Sequence, residues 1–499
     1  MGNIRLKLTA ISPIHIGSGE IYEPTNFVID EGVLYHFRDE DFYMALPDIR
    51  QKAFMRIINE NRDDSFIQVH KFVKENKNIV KDIAIGIVAV TDGLQKDYDR
   101  LLGKVRQLEG RKQSTDRVFN KFEIQRVQRK QVKTSTNIFA HTGYIVGSAL
   151  KGSISTAYQE LMFKKNGKNF LKEKFQAKGR DISNNLFREF KVSDSIVKKV
   201  NTKIGFALNK ERFDYDFSNP NANIKLSTFI EVIEAQSEFI VDINYGSLKI
   251  EEILKSCTSH YMPIFRSIFL GQVDGKKEYI YKYLASNFYD KYRHFELKPN
   301  QYLLRVGKHS GARAVTIDGI RDIKSKLSGG GKHRKPNKFE YREDETTTWL
   351  FGDKSNSNYE LLPFGWVVAE IIDEEPPKYE AIDGLYALQV KKAKEREENR
   401  VAVEERERKA REERIKREAE EKAKLASMTP LQRLINNYSD VALLINDMKS
   451  GKIEDFESIK KELAQEVKKI LQQNPKTWDR AKKKALDRKV YIEGLLKFK

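Results

Sequence analysis

The chain opens on an alternation of apolar and polar residues, with Ile4, Leu6 and Leu8 set between Arg5, Lys7 and Thr9. That period of two is the pattern of a half-buried strand. Ser12-Pro13 and Gly17-Ser18-Gly19 punctuate the next segment, and residues 26–29 and 33–37 predict a hairpin around Asp30-Glu31-Gly32. From Asp39 to about Lys81 the spacing turns helical, through Ala53, Met55, Ile57 and Ile58, then Phe66, Val69, Phe72 and Val73. A basic stretch with strand-like alternation comes next, in which Phe122, Ile124, Val127 and Val132 interleave with Arg126, Arg129, Lys130 and Lys133. Residues 161–225 are rich in Lys, Asn and Phe and give helical pieces without a clear boundary. Strands are predicted over 226–233, 239–245, 302–306, 349–351 and 366–371, and helices over 250–269 and 278–294. Strands and helices therefore mix twice, once on each side of about residue 200. The expected fold is α+β, with two ferredoxin-like (RRM-like) units. The first spans 1–200 with a helical insertion at about 39–120, and the second spans 201–376.

Beyond Pro376-Pro377 the pattern changes. Residues 387–425 are almost all Lys, Arg, Glu and Ala, with opposite charges often three or four apart. A helix polar on every face and laced with such pairs is a solvated strut, and no sustained heptad supports a coiled coil. This predicts a charged helical linker over 377–426. Thr429-Pro430 supplies a helix cap with proline in the first turn. Amphipathic stretches near 431–448, 454–473 and 477–497 predict a three-helix module over 427–499. Its last helix is strongly basic, with Arg480, Lys482, Lys483, Lys484, Arg488 and Lys489.

Charge sharpens the expectation of function. Ninety-one Lys and Arg against 72 Asp and Glu leave a net charge of +19, which favours a polyanionic partner, nucleic acid ahead of an anionic membrane. A generally basic proteome would give the same sign. The single cysteine, Cys257, excludes a disulfide within the chain and any cysteine-cluster metal site, and fits a reducing cytoplasm. MGNIRLKLTAI lacks the apolar core of a signal segment, and the longest apolar run, 83–90, is far too short to span a membrane. A soluble protein is expected.

The most informative stretch is TGYIVGSALKGSISTAYQE, residues 142–160. It predicts a short strand (Tyr144, Ile145, Val146), a small-residue turn (Gly147, Ser148, Ala149) and a helix opening at Leu150-Lys151-Gly152. Such a turn aims backbone N–H groups and a positive helix end outward, a place suited to phosphate, and Lys151 adds a full charge. The order Lys-Gly-Ser is not that of a nucleotide-triphosphate loop. The turn could equally be a plain strand-to-helix joint.

This stretch resembles the "PGSSLKG…R-T-A" signature of the RAMP superfamily, the RNA-binding subunits of type III CRISPR effector complexes. LTAISPIHIGSGEIYEP (8–24), LLRVGKHSG (303–311) and LLPFGWVVAEI (361–371) match an opening strand, a second glycine turn and a closing strand of that family. Order and spacing over about 1–375 are most similar to the Csm-complex RAMP subunit that caps the guide RNA 3′ end in type III-A systems. Val146 stands where the signature has proline, and Ser155 where many relatives carry arginine. The resemblance implies guide-RNA backbone contact by Ser148 and Lys151; Ser18, Arg305, Lys308 and His309, in or beside the other glycine turns, are further candidate RNA contacts, the turn at 307–311 being flexible and basic. It also implies partners: guide and target RNA, repeated RAMP backbone subunits, small helical subunits, and a separate nuclease that trims the guide.

Other candidates are weighed on chemistry alone. His15 could be a general base for RNA cleavage, yet no partner acid stands at a telling spacing, so a structural or RNA-contacting role is expected. Arg126, Arg129, Lys130 and Lys133 would line one face of an extended segment and track a sugar-phosphate chain, or form an ordinary solvated face. Gly329-Gly330-Gly331 with Lys332, Arg334 and Lys335 makes a flexible basic turn. Asp39-Glu40-Asp41 and Glu343-Asp344-Glu345 lack ligand spacing, so neither metal nor cofactor is expected. The expected function is a non-catalytic guide-RNA-binding subunit. The alternatives are a guide-processing endoribonuclease using His15 or His141, and a basic RNA-associated scaffold outside CRISPR.

Overall fold

The amino-terminal alternation forms the strand Gly2–Ala10, in which Leu6, Leu8 and Ala10 are buried. Between them, Arg5 pairs with Asp242 at 2.8 Å and Lys7 with Glu238 at 3.7 Å. The computed structural model describes residues 2–23, 25–60, 65–108, 123–133, 139–175, 184–213, 227–273, 275–326, 339–373, 384–479 and 481–497. Gly2–Ala10 is the middle of a sheet ordered Ile196–Lys199, Glu238–Gly246, Gly2–Ala10, Trp366–Ile372, Gln301–Arg305, antiparallel throughout. Leu6 sits opposite Val241 on one side and Ile371 on the other; Leu8 sits opposite Phe239 and Ala369. These rows give one face an apolar surface. Helices Gly147–Lys174 and Ile250–Ser267 supply Leu150, Ile154 and Ala157, and Ile253, Leu254, Cys257 and Tyr261, to the same core. Three-to-four spacing keeps those side chains on one side of each helix, and each aliphatic contributes about 1.5–3 kcal/mol by burial.

A second sheet of nine strands runs Gly17–Tyr22, Ile124–Val127, Ser227–Ile233, Thr202–Glu211, Gly86–Val90, Val33–His36, Phe27–Asp30, with Thr347–Gly352 paired to Thr202–Glu211 and Leu362–Pro363 beyond it. Two of its pairings are parallel, Ser227–Ile233 with Ile124–Val127 and Thr202–Glu211 with Gly86–Val90. Between Val33–His36 and Gly86–Val90 stand the helices Asp39–Ala45, Asp48–Asn59, Ser65–Glu75 and Lys77–Ile83. They enclose a core of Phe37, Phe42, Phe72 and Val80.

The mixed α+β character is as expected, but the sheets do not succeed one another along the chain. Strands from both halves alternate between the two sheets, so the expected boundary near residue 200 falls between Ile196–Lys199 of the first sheet and Thr202–Glu211 of the second. Sheet membership is set by non-local pairing, which local periodicity cannot register. Thr202–Glu211 itself was hidden in the stretch without boundaries, although Ile204, Phe206 and Leu208 alternate there and are buried. The predicted helix 278–294 is two short helices, Ile280–Tyr283 and Ser286–Tyr292. Residues 144–146 are not strand: the strand is Phe139–Gly143, and the helix begins directly at Gly147.

The chain divides into two compact units, Met1–Glu397 and Glu398–Lys499. The helix Gly384–Ser427 crosses that division. On its amino-terminal part Gln389 donates to the Ile87 carbonyl at 3.2 Å, and Lys392 and Arg396 donate to the carbonyls of Lys81 and Ala84. Past Glu398 it is exposed all round and carries pairs such as Lys409–Glu405 at 2.9 Å, the expected strut. Thr429 caps the next helix in a full capping box with Gln432. Four helices make up the module rather than three, Pro430–Asn436, Val441–Lys449, Phe456–Gln472 and Lys484–Lys497, because the first amphipathic stretch breaks before the Asp440 cap. Leu444, Ile445, Leu463, Val467, Trp478 and Ile492 form their core.

Burial pushes the imidazoles of His36, His70 and His309 down to about 3. Each is neutral in the fold and takes up a proton on unfolding below about pH 6.5, so stability present above that pH is lost as the pH falls. The loss is up to about 1.4 kcal/mol per pH unit for each histidine. Urea midpoints measured from pH 7.5 to 4.5 should drop steeply. His70→Phe, at a buried site where His70 Nε2 meets Tyr98 Oη at 3.1 Å, should remove one proton's worth of that slope. Equal slopes would contradict the assignment.

Candidate nucleic-acid interface

Strands Gly2–Ala10, Trp366–Ile372 and Gln301–Arg305 are neighbours, so the turns at one end of them meet. The Gly365 N–H donates to the Pro13 carbonyl at 2.8 Å, and its own carbonyl accepts from Val306 N–H at 2.8 Å. Gly365 has φ +88°, and a Cβ there would lie 2.4 Å from the Val306 carbonyl oxygen. Gly307, at φ +86°, lies against the His15 carbonyl oxygen at 2.5 Å by the same test, and Lys308 N–H donates to that oxygen at 2.8 Å. Only glycine satisfies both conditions. Ser153 of the helix Gly147–Lys174 donates its hydroxyl to the Arg305 carbonyl at 2.7 Å. Four motifs spread over more than 350 residues of sequence are thus joined.

Beside this junction lies an open groove of about 450 Å³, lined by His15, Gly17, Gly19, Gln125, Arg126, Thr228 and Lys308 among others. Lys308 is exposed and rests its ammonium on the neutral Gln125 Oε1 at 2.7 Å. Arg126 lies over the Tyr22 ring at 4.7 Å and pairs with Glu20 at 2.8 Å. Glu20 and Glu123 also line the groove, so its charge is mixed, with Arg126 and Lys308 on the positive side.

Under the groove stands Glu231, fully buried in the middle of the apolar strand Ser227–Ile233. Arg129 forms an ion pair with it, the Tyr22 hydroxyl donates to it at 3.4 Å, and Val127 N–H donates at 3.1 Å. Its backbone carbonyl accepts from His15 Nδ1 at 2.7 Å. Arg129 also donates to the His141 carbonyl at 3.1 Å and Thr202 Oγ1 at 3.3 Å. Burial pushes the Tyr22 phenol up to about 12 and lowers the His15 imidazole, with Lys308 adding to the latter.

The remaining expected site residues divide. Ser18 takes part in the glycine turn, its hydroxyl 3.4 Å from the Arg126 carbonyl. Lys133 ends the strand Arg129–Lys133 opposite Phe139. Lys130 spends its ammonium on the Ser195 carbonyl over the Tyr144 ring. The cradle foreseen at Gly147 is already occupied by the protein: Gly147 N–H donates to the Asp194 carboxylate at 2.8 Å, and Lys151 donates to the Phe187 carbonyl at 2.8 Å, while Ser148 is exposed. Arg305 is buried, bonded to the Phe364 carbonyl at 2.9 Å and lying over Trp366, and burial lowers it to about 10. His309 is held between Trp349 and Phe364, with ring centroids 4.6 and 5.1 Å away. Arg129, Arg305 and His309 are therefore interior residues. Lys332, Arg334 and Lys335 lie outside the described residues. Glu231, Gln125 and Thr228 were not foreseen. Of these only Glu231 left a signal, a lone acid inside Phe229-Ile230-Glu231-Val232-Ile233. Among the described residues no cluster of His, Cys, Asp or Glu could hold a metal ion, and no helix is long and apolar enough to cross a membrane.

The proteins to which the chain is similar include components of CRISPR systems. No protein-family model matches the chain. The chain is similar to the "CRISPR system Cms protein Csm5" of Methanocaldococcus jannaschii, at 25% identity over 318 residues, covering 60% of this chain and 64% of that protein. Among solved structures it is similar to a chain of the cryo-EM Csm-crRNA-target RNA ternary complex of a type III-A CRISPR-Cas system, with a TM-score of 0.45 and 16% identity over 74% of this chain and 100% of that one. The crystal structure of T. onnurineus Csm5 is matched with a TM-score of 0.39 and 13% identity over 72% of this chain and 99% of that one.

Removing the acid beneath the groove leaves Arg129 buried and unanswered. Glu231→Ala should cost about 3–5 kcal/mol, whereas Lys308→Ala, at the exposed rim, should cost less than about 0.5 kcal/mol. Urea unfolding of the two variants at pH 7.5 checks the contrast.

Proposed function

We propose that this chain is the Csm5-type RAMP subunit of a type III-A CRISPR effector complex. In this reading it binds the guide RNA near its 3′ end and does not cut it. The observation that carries the reading is the meeting of the Pro13–Gly19, Gly307–Gly311 and Gly365 turns beside a groove bearing Arg126 and Lys308, in a chain similar to a Csm5 protein. Glycine turns let a sugar-phosphate chain approach the backbone closely, and the two cations meet phosphates irrespective of sequence. Target choice then rests with base pairing by the guide. RNA contact is assigned to this face rather than to Lys151, whose ammonium and neighbouring helix end are committed within the protein.

The first sheet is a ferredoxin-like unit in this reading. Its strand-helix-strand order, Gly2–Ala10, Gly147–Lys174, Ile196–Lys199, Glu238–Gly246, Ile250–Ser267 and Trp366–Ile372, has the βαββαβ form, with Gln301–Arg305 added at one edge. The second sheet, with a different strand order, is its divergent counterpart. The partners are guide RNA, target RNA, RAMP backbone subunits and small helical subunits in the cytoplasm, with a separate nuclease trimming the guide. The module Glu398–Lys499 reaches RNA or a partner beyond the core. Cleavage with His15 as base gains no support, since burial and the nearby Lys308 lower the imidazole and weaken its Nε2 as a base.

Binding of a guide-length single-stranded RNA to the purified chain, measured from 50 to 300 mM salt, tests the reading. Lys308→Ala should weaken binding and flatten the log–log salt dependence by about 0.7. Lys151→Ala should leave the slope unchanged. An unaltered slope in Lys308→Ala would move the RNA off this face. In reconstituted complexes, deletion of 398–499 should loosen assembly or shift the length of bound guide, and complexes identical to the full-length form would remove that role from the module.

A further inference from the structure

We infer that His15 is where this chain distinguishes RNA from DNA, its unprotonated Nε2 accepting a hydrogen bond from a ribose 2′-hydroxyl of a strand lying in the groove. The inference rests on the RNA-binding reading above and deepens it. His15 is buried, and its Nδ1 lies 2.7 Å from the backbone carbonyl of Glu231. A carbonyl can only accept, so Nδ1 carries the proton and Nε2 presents a lone pair. Burial and the nearby Lys308 both disfavour the imidazolium, which keeps that lone pair available near neutral pH.

Nε2 has no hydrogen-bond partner. It is not alone: Arg126 Nε and Thr228 Oγ1, on two other elements lining the same groove, are also buried and without partners. Buried polar groups in folded proteins are nearly always satisfied, so an acceptor, a donor and a hydroxyl orphaned around one groove suit a polar ligand offering both donors and acceptors. A ribose–phosphate unit does so. Its 2′-hydroxyl donates to His15 Nε2, and its oxygens accept from Arg126 Nε and the Thr228 hydroxyl. DNA supplies the second part but lacks the 2′-hydroxyl.

Gly17 adds an independent sign. It is exposed and its backbone is not in the left-handed region, so conformation does not demand glycine there. A Cβ built on it would stand 3.1 Å from His15 Nε2. A side chain at 17 would add a further cover over a nitrogen already out of solvent's reach, and glycine leaves the fewest atoms to move aside. Gly19, at φ +83° with open space around it, lets the turn move as a strand enters.

The test compares binding of the full chain to a single-stranded RNA, to DNA of the same sequence, and to a chimera with deoxyribose at alternate positions, at fixed salt. The wild-type chain should prefer RNA, with the chimera between. His15→Phe should lower the RNA-to-DNA ratio about fivefold, as expected for one lost hydrogen bond, by weakening RNA binding while DNA binding holds. Gly17→Ala should lower the ratio in the same direction without removing the imidazole, so the test survives a His15→Phe chain that folds poorly. Lys308→Ala should weaken both polymers alike and keep the ratio. Equal wild-type affinity for RNA and DNA, or a ratio unmoved by both His15→Phe and Gly17→Ala, overturns the inference while leaving backbone binding in place. Binding of neither polymer overturns the parent reading, and the inference with it.

Discussion

Glu231 carries its charge in the middle of a strand where solvent does not reach, and the neighbouring chain segments are arranged to answer it. A buried carboxylate left unpaired is among the most costly things a fold can contain, and one with a guanidinium and further donors is tolerable. Arg129, the Tyr22 hydroxyl and Val127 N–H converge on its side chain, while His15 hangs from its carbonyl. These partners come from the strand Gly17–Tyr22, the basic strands after residue 123, and the loop leaving the first strand. One acid therefore ties His15 and the strands carrying Tyr22, Val127 and Arg129 to one point. It also explains why one member of the basic run lies inside: Arg129 is the counter-ion of the interior, and Arg126, three residues earlier, stays at the groove.

Above that floor, backbone geometry takes over from charge. Gly307 and Gly365 adopt left-handed φ values and lie so close to neighbouring carbonyls that any side chain would collide. Their contacts bring together loops that start from adjacent strands of the first sheet, whose order is set by apolar rows such as Phe239, Leu8 and Ala369. The glycines that resemble an RNA-binding signature thus have a prior structural task, closing one end of the sheet. The groove and its exposed Lys308 are what that closure leaves available. The helix end at Gly147 obeys the opposite logic, since the positive end that could hold a phosphate is answered by Asp194 of the same chain.

The carboxy-terminal unit is built on other terms. Its linking helix has no apolar stripe to bury, and ion pairs one turn apart hold an exposed helix only weakly, by about 0.2–0.5 kcal/mol each. Anchoring of its first turns by Gln389, Lys392 and Arg396 on carbonyls at 81, 84 and 87 supplies what propensity alone does not. The four-helix module then buries Trp478 and a row of aliphatics, with Lys468 and Lys489 lying over the Trp478 ring and Lys461, Lys469 and Lys484 exposed.

Periodicity alone determined most elements: the first strand, the hairpin at 27–36, the charged strut, the Thr429 cap and the basic strands all form where alternation, helical spacing or capping chemistry predicts. These signals survive because they depend on residues within one turn or one strand of each other. Pairing partners, charge partners and depth depend on chain segments hundreds of residues apart, and only the folded chain decided them. It sent alternate strands to two interleaved sheets, started the Gly147 helix a turn early, and hid the strand Thr202–Glu211 among polar neighbours. It also sorted cations that look alike in sequence: Arg129 and Arg305 lie inside against an acid and a carbonyl, and Lys151 is turned onto a carbonyl. Arg126 and Lys308 are left at the groove. A lysine or arginine records its charge in the sequence, but what that charge meets is a property of the tertiary structure.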